Sequence, residues 1–115
     1  MSSREFHAEV VEEVTPVEFD ERRRAGESWQ LLDVREAWEC ALASVDGALY
    51  MPLHELPARL GELDPGLPVA VLCHSGIRSA LAAGYLARTG FDRVANITGG
   101  IDAWSLDLDH SIPRY

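Results

Sequence analysis

The chain has 115 residues, enough for one domain with a buried core and too few for two. Its formal net charge of -9, from ten arginines and nineteen acidic residues, disfavours nucleic-acid and anionic-membrane partners. An anionic ligand would therefore have to be attracted by a local feature, against the average field of the protein.

Secondary-structure signals alternate along the chain. The capping box formed by Thr15 and Glu18, with Pro16 at the first helical position, predicts a helix that runs to about Ala25. The other predicted elements, in chain order, are strand 29–34, strand 48–51, helix 56–63, strand 69–72, helix 79–89, strand 94–97 and helix 101–106. This order predicts an α/β domain with a mostly parallel central sheet of about five strands and helices on both faces.

The two cysteines, Cys40 and Cys73, are too few for a disulfide framework, and neither lies in a C-x-x-C pair. We therefore expect no metal and no cofactor. The first fourteen residues lack the apolar segment of a secretory signal, and no apolar run reaches the length of a membrane span. We expect a reducing cytoplasmic location, in which Cys73 remains a thiol.

The most informative feature is the loop from Cys73 to Arg78, with the sequence CHSGIR, between a buried strand and a helix. Ligands of parallel sheets bind beyond the carboxyl ends of the strands, which is where this loop lies. Converging main-chain N–H groups, the helix dipole and the guanidinium of Arg78 favour negative charge there. The loop therefore predicts a nucleophilic thiolate at Cys73.

Four segments, in order, resemble the rhodanese family of sulfurtransferases in its single-domain form. They are 31–36 (LLDVRE), 47–53 (GALYMPL), 73–79 (CHSGIRS) and 98–104 (TGGIDAW). The resemblance implies a rhodanese-like three-layer domain over residues 1–115, with a core at about 15–106 and short terminal extensions.

The resemblance also implies covalent two-step chemistry. Cys73 would attack a sulfane sulfur donor, hold the sulfur as a persulfide and pass it to a nucleophilic acceptor, while Arg78 stabilises the charge. An anion cradle would bind the charged sulfur; its members are His74, Ser75, Gly76, Ile77 and Ser79. The serine hydroxyls would donate hydrogen bonds to that charge, and a glycine lets the loop turn tightly.

Some positions leave alternatives open. His74 stands where the family commonly has Arg or Lys, so a neutral imidazole would weaken binding of a dianion such as thiosulfate and make turnover pH-dependent. Asp33 and Arg35 are possible supporting residues of the site, although such a pair more often ties loops together. Cys40 is a structural cysteine or, as the less favoured interpretation, a resolving thiol.

Two other functions compete with sulfur transfer. Cysteine phosphatases and arsenate reductases also have a Cys-to-Arg anion loop, but theirs carries five intervening residues and this one carries four. A non-catalytic rhodanese-like binding or regulatory domain typically lacks the loop cysteine, which is present here.

The expected partners are a small sulfur-containing anion or thiol and a sulfur-donor or sulfur-carrier protein, with no nucleic acid and no membrane. Residues 109–115 (DHSIPRY) also resemble the ends of rhodanese domains fused to ubiquitin-like-activating enzymes. An ordinary structured C-terminus explains that segment equally well.

Overall fold

Strands and helices alternate in the computed structural model, which describes residues 10–115. In chain order they are β1 (Val11–Val14), α1 (Pro16–Arg24), β2 (Gln30–Asp33), α2 (Ala37–Leu42), β3 (Leu49–Tyr50), α3 (Leu56–Arg59), β4 (Val69–Leu72), α4 (Ile77–Arg88), β5 (Val94–Ile97) and α5 (Gly100–Asp107). The five strands form one sheet in the order β1-β5-β4-β2-β3, and every neighbouring pair is parallel. The predicted α/β class and the sheet of about five strands are confirmed, although the sequence located only four of the five strands.

The sheet separates two apolar layers. In β4, Val69 and Val71 pack into the layer that includes α3 and α4, whereas Ala70 and Leu72 pack into the layer that includes α1 and α5. All four side chains are fully buried. A continuous apolar strand is what a sheet covered on both faces requires, so the three-layer arrangement is confirmed.

The predicted start of α1 is confirmed in detail. Glu18 N donates to Thr15 Oγ1 at 3.1 Å, and Thr15 N donates to Glu18 Oε1 at 2.9 Å, which completes the capping box. Both main-chain donors at the helix entrance are thereby satisfied.

Two elements were not predicted. β1 has the sequence VEEV, in which two adjacent glutamates obscure the strand pattern, and it pairs only with β5 at the edge of the sheet. α2 has six residues and no Ser, Thr, Asp or Asn at its N-cap; its N-cap is Glu36, whose N–H donates to Glu39 Oε2 at 2.9 Å. Both elements are too short for periodicity to identify them.

Two helices differ from their predicted bounds. The helix expected over 56–63 is one α-helical turn, α3, flanked by 3₁₀ turns at Leu53–Glu55 and Leu60–Glu62. α4 begins at Ile77 rather than Ser79, because Gly76 is its N-cap. Arg78 therefore lies in the first turn of α4 and not in the preceding loop.

Candidate active site

The sulfur of Cys73 lies against the first turn of α4, directly beyond the carboxyl end of β4. The main-chain N–H groups of Gly76 and Ser79 donate to Cys73 Sγ at 3.1 and 3.3 Å. These two donors and the amino end of a 12-residue helix favour negative charge on the sulfur. Only 1% of Cys73 is exposed, so the surrounding loop covers its sulfur.

The Ser79 hydroxyl is engaged with a buried asparagine of β5. Asn96 Nδ2 donates to Glu13 Oε2 at 3.0 Å and to Gly76 O at 3.2 Å. Because both partners are acceptors, Asn96 Oδ1 must be the acceptor for Ser79 Oγ–H, at 2.6 Å. Ser79 Oγ then accepts from the Cys73 thiol at 3.2 Å. Ser79 thus donates its main-chain N–H to the sulfur. Its hydroxyl, which was expected from sequence to be the donor, binds Asn96 instead.

Gly76 allows the loop to turn tightly around the sulfur. Its φ of +101° lies in the left-handed region, and a Cβ at this position would come within 3.1 Å of Gly99 N. Both the backbone conformation of Gly76 and its close contact with the Gly99 main chain therefore favour glycine. This agrees with the expectation that a glycine here lets the loop turn tightly.

The amino end of α5 supports the loop from below. Ile101 N donates to Cys73 O at 2.9 Å, and Asp102 N donates to His74 O at 3.1 Å. A Cβ on Gly100 would collide with both of those carbonyl groups. Gly100 is therefore needed for the close packing of α5 on the loop, a role that its position in a short turn did not predict.

Arg78 is paired with a carboxylate that sequence analysis did not identify. Its Nη1 and Nη2 lie 2.6 and 2.7 Å from Glu39 Oε2 and Oε1, and the Glu39 side chain is only 3% exposed. Hydrogen bonding from Arg78 holds the pKa of Glu39 at about 2, well below its usual 4.5. The pair carries no net charge, and the groups that favour negative charge on the sulfur at hydrogen-bond distance are the main-chain N–H groups of Gly76 and Ser79.

Asp33 and Arg35 form a buried pair at the end of β2. Arg35 Nη2 lies 2.7 Å from Asp33 Oδ2, and Arg35 Nη2 also donates to Ala43 O at 2.8 Å. Burial opposes the charge on Arg35, but hydrogen bonds to Asp33 and Tyr115 raise the pKa of Arg35 above its usual value. The pair joins β2 to the end of α2, which is the structural alternative considered from sequence.

Cys40 is poorly suited to be a resolving thiol. Burial, followed by the charge of Asp33, raises the pKa of Cys40 to about 11, and its thiol contacts Asp33 Oδ2 at 3.7 Å. A thiol that stays protonated at neutral pH is a weak nucleophile. This supports the structural interpretation of Cys40.

The remaining cradle residues lie at the surface of the loop. Ser75 is exposed, and Ile77 is 73% exposed. The His74 ring is half-buried and stacks on the ring of Tyr115, with 4.2 Å between ring centroids and 12° between planes. The loop thus presents a polar residue, an apolar residue and a stacked imidazole around the covered sulfur.

Three side chains that shape the site were not predicted: Asn96, Glu39 and Tyr115. Asn96 carried a usable signal, because a buried amide inside the apolar strand VANI must have hydrogen-bond partners. Glu39 and Tyr115 carried none, since their partners are distant in sequence: Glu39 lies 39 positions from Arg78, and Tyr115 lies 76 positions from Glu39.

A cavity of about 650 Å³ lies elsewhere, bordered by α1, α2 and α5. Arg23, Cys40, Ser44 and Trp104 are among its lining residues, and none of residues 73–79 is. The cavity is therefore separate from the sulfur of Cys73.

Residues 10–115 contain no group of three or more His, Cys, Asp or Glu side chains arranged to hold a metal ion. Within the same range, no helix is both long and apolar enough to cross a membrane.

Comparison with known proteins identifies the family. Residues 15–107 match the family model of the rhodanese-like domain. The chain belongs to this family. A sulfurtransferase from Allochromatium vinosum is 35% identical over 104 residues, covering 90% of this chain and 94% of that protein. The thiosulfate sulfurtransferase GlpE of Shewanella oneidensis is 36% identical over 77 residues, covering 67% of this chain and 76% of GlpE.

The fold comparison agrees with the family. The crystal structure of a rhodanese-like domain protein from Staphylococcus aureus superposes with a TM-score of 0.78 at 25% identity. The match covers 91% of this chain and 99% of that one. Nearly all of the secondary structure thus follows the rhodanese-like arrangement.

Replacing Glu39 with Gln is expected to lower the free energy of unfolding at pH 7 by about 1–3 kcal/mol, because Arg78 loses its carboxylate partner. The pKa of Glu39 is about 2 in the folded protein and near 4.5 when unperturbed. Its contribution is therefore present above about pH 4.5 and lost as the pH falls towards 2. Urea unfolding should show that the difference in unfolding free energy between Glu39→Gln and the parent protein narrows as the pH is lowered through this range.

Glu62→Gln is the matched control, since Glu62 pairs with Arg59 at the surface. We expect it to change the unfolding free energy by at most about 1 kcal/mol. A Glu39→Gln difference that stays constant from pH 7 to pH 3 would contradict the assigned ion pair.

Gly100→Ala is expected to lower the free energy of unfolding by about 1–3 kcal/mol, because the added methyl group collides with the carbonyls of Cys73 and His74. Gly61→Ala is the control: Gly61 has open space around its Cβ position and no positive φ. Thermal unfolding should show destabilisation of the first variant and a change of at most about 1 kcal/mol in the second. Equal stability of both would contradict the close approach of α5 to the loop.

Proposed function

We propose that this protein is a rhodanese-type sulfurtransferase that carries sulfane sulfur as a persulfide on Cys73. The observation that supports the proposal most directly is the pair of main-chain N–H groups directed at Cys73 Sγ from the amino end of α4. The sulfurtransferase names of relatives that cover most of the chain support the same reaction class.

The first half-reaction is a displacement at sulfur. The Cys73 thiolate attacks the sulfane sulfur of the donor, a new S–S bond forms, and the bond between that sulfur and the rest of the donor breaks. With thiosulfate, sulfite leaves with the bonding electron pair. In the second half-reaction an acceptor thiolate or cyanide attacks the outer sulfur, and the Cys73 thiolate is the leaving group.

The cradle would stabilise charge on both sulfurs in turn. The N–H groups of Gly76 and Ser79 face the inner sulfur, and the persulfide adds an outer sulfur that needs donors of its own. The exposed hydroxyl of Ser75 and the main-chain N–H groups of the loop would supply donors for that sulfur.

Arg78 would act as a charge stabiliser at longer range than expected from sequence. The negative charge of Cys73 contributes to the raised pKa of Arg78, after the larger contribution of the hydrogen bonds to Glu39. Arg78 thus influences the sulfur through space while its guanidinium remains bound to Glu39. The ion pair also anchors the first turn of α4, which carries the N–H of Ser79.

The donor and acceptor would be a small sulfur-containing anion or thiol, or a protein persulfide presented by a sulfur-donor or sulfur-carrier protein. The neutral ion pair and the net charge of -9 make the site less attractive to a dianion than to a thiol persulfide. A reducing cytoplasm would supply thiol acceptors and keep Cys73 reduced. The chemistry needs no metal or organic cofactor.

The decisive test of the function is sulfur uptake. After incubation with thiosulfate, mass spectrometry should find one additional sulfur on the peptide that contains Cys73, and cyanide should remove it. Cys73→Ser should take up none, whereas Cys40→Ser should behave like the parent protein. Hydrolysis of an aryl phosphate without sulfur uptake would favour a phosphatase, and neither reaction would favour a binding domain.

The charge role of Arg78 is tested with variants that separate charge from stability. Arg78→Ala is expected to slow sulfur uptake from thiosulfate by about 10²-fold, the scale of losing an electrostatic stabiliser. The double variant Glu39→Gln/Arg78→Ala avoids a buried unpaired carboxylate and should be equally slow. Glu39→Gln alone keeps the positive charge of Arg78 but loosens the first turn of α4, so it should slow uptake less than Arg78→Ala, by about ten-fold. Uptake by the double variant at the parent rate would exclude a charge role for Arg78.

A further inference from the structure

Tyr115 lies across the candidate active site, where it contacts both α2 and the loop. Its hydroxyl oxygen is 3.0 Å from Arg35 Nη1 and 3.0 Å from Glu39 Oε1. Its ring stacks on His74, the residue next to Cys73. One side chain therefore touches the buried ion pair, the carboxylate partner of Arg78 and the loop itself.

The direction of the hydrogen bonds through the hydroxyl is fixed by chemistry. A guanidinium can only donate and a carboxylate can only accept, so Arg35 donates to Tyr115 and Tyr115 donates to Glu39. Glu39 in turn accepts both hydrogen bonds from Arg78. This chain connects the buried Asp33–Arg35 pair to the first turn of α4, where the N–H of Ser79 faces the sulfur.

The stacked ring restrains the imidazole of His74. Its partner ring is held in turn by Trp38, which meets Tyr115 edge-on at 6.3 Å between centroids. The main-chain carbonyl of His74 accepts a hydrogen bond from Asp102 N. Both the side chain and the main chain of His74 are therefore restrained. The imidazole therefore has a defined position at the mouth of the loop.

The segment that carries Tyr115 is itself anchored on α5. Ile112 is buried, and its carbonyl accepts from Ser105 Oγ at 2.6 Å. Arg114 Nε lies 2.8 Å from Asp102 Oδ1. These contacts hold the segment in a course that brings the Tyr115 ring to the loop.

We propose that Tyr115 is a positioning residue of the sulfur-transfer site, with its ring orienting His74 and its hydroxyl holding the Glu39–Arg78 pair. This role rests on the proposed function. The two parts of the side chain act on different steps: the ring shapes the place where the donor binds, and the hydroxyl positions the turn that stabilises the attacking sulfur.

The test measures sulfur uptake from thiosulfate, followed by mass spectrometry at a series of donor concentrations. Tyr115→Phe keeps the ring and is expected to lower the maximal uptake rate about ten-fold, the scale of a hydrogen bond to a charged group, at an unchanged half-saturating concentration. Tyr115→Leu also removes the stack and should raise the half-saturating concentration as well. Tyr85→Phe is the control and should match the parent protein, because Tyr85 lies on α4 and packs against the apolar layer.

Two further readouts separate positioning from a general loss of stability. The NMR signals of the His74 imidazole should show a ring-current shift that Tyr115→Phe retains and Tyr115→Leu loses. In a double-mutant cycle, the effect of Tyr115→Leu on the half-saturating concentration should largely disappear when His74 is already replaced by Asn. An effect caused by general destabilisation would remain in the His74→Asn background. Circular dichroism confirms that each variant is folded at the assay temperature.

The proposal is overturned if Tyr115→Phe and Tyr115→Leu take up sulfur with the parent's rate and half-saturation. It is also overturned if the Tyr115→Leu effect is the same in the His74→Asn background. If Tyr115→Leu does not fold, an unchanged maximal uptake rate in Tyr115→Phe overturns the proposal. No uptake by the parent protein would instead refute the proposed function, on which this role depends.

Discussion

Two main-chain N–H groups at the start of α4 face the sulfur of Cys73, and the surrounding structure keeps them there. Gly76 adopts the left-handed conformation that turns its own N–H inwards. Asn96 holds the Gly76 carbonyl from β5, and α5 holds the carbonyl of Cys73 from below. Main-chain donors fixed by three elements need no reorganisation when charge develops on the sulfur, which is the arrangement that electrostatic stabilisation favours.

The charges near the loop are arranged to hold the structure rather than to attract ligands over a distance. Arg78 is neutralised by Glu39, and Arg35 by Asp33, so neither guanidinium opposes the net charge of -9 at long range. Stabilisation of an anion by main-chain dipoles acts only at close contact. The loop would therefore stabilise an anion on contact rather than attract it from a distance.

The alternation of helices and strands, the parallel sheet and the site at its carboxyl edge were predictable because each rests on local patterns. A run such as 69–72 is apolar on both faces, and the capping box of α1 lies within four residues. β1 and α2 escaped prediction because they are short and rich in charge, and packing against their neighbours decides their conformation.

For the site, the sequence by itself singled out Cys73 as the candidate nucleophile, and it predicted that a glycine at position 76 lets the loop turn tightly and that a helix follows the loop. These properties depend on residues adjacent in the chain. Only the tertiary structure decided which groups satisfy one another: that Arg78 binds Glu39, that the Ser79 hydroxyl is used by Asn96, and that Tyr115 stacks on His74. The physical reason is that hydrogen-bond and ion-pair partners depend on which groups lie close together in the folded chain. Packing across the sheet or along the surface of α5 brings each of these pairs together.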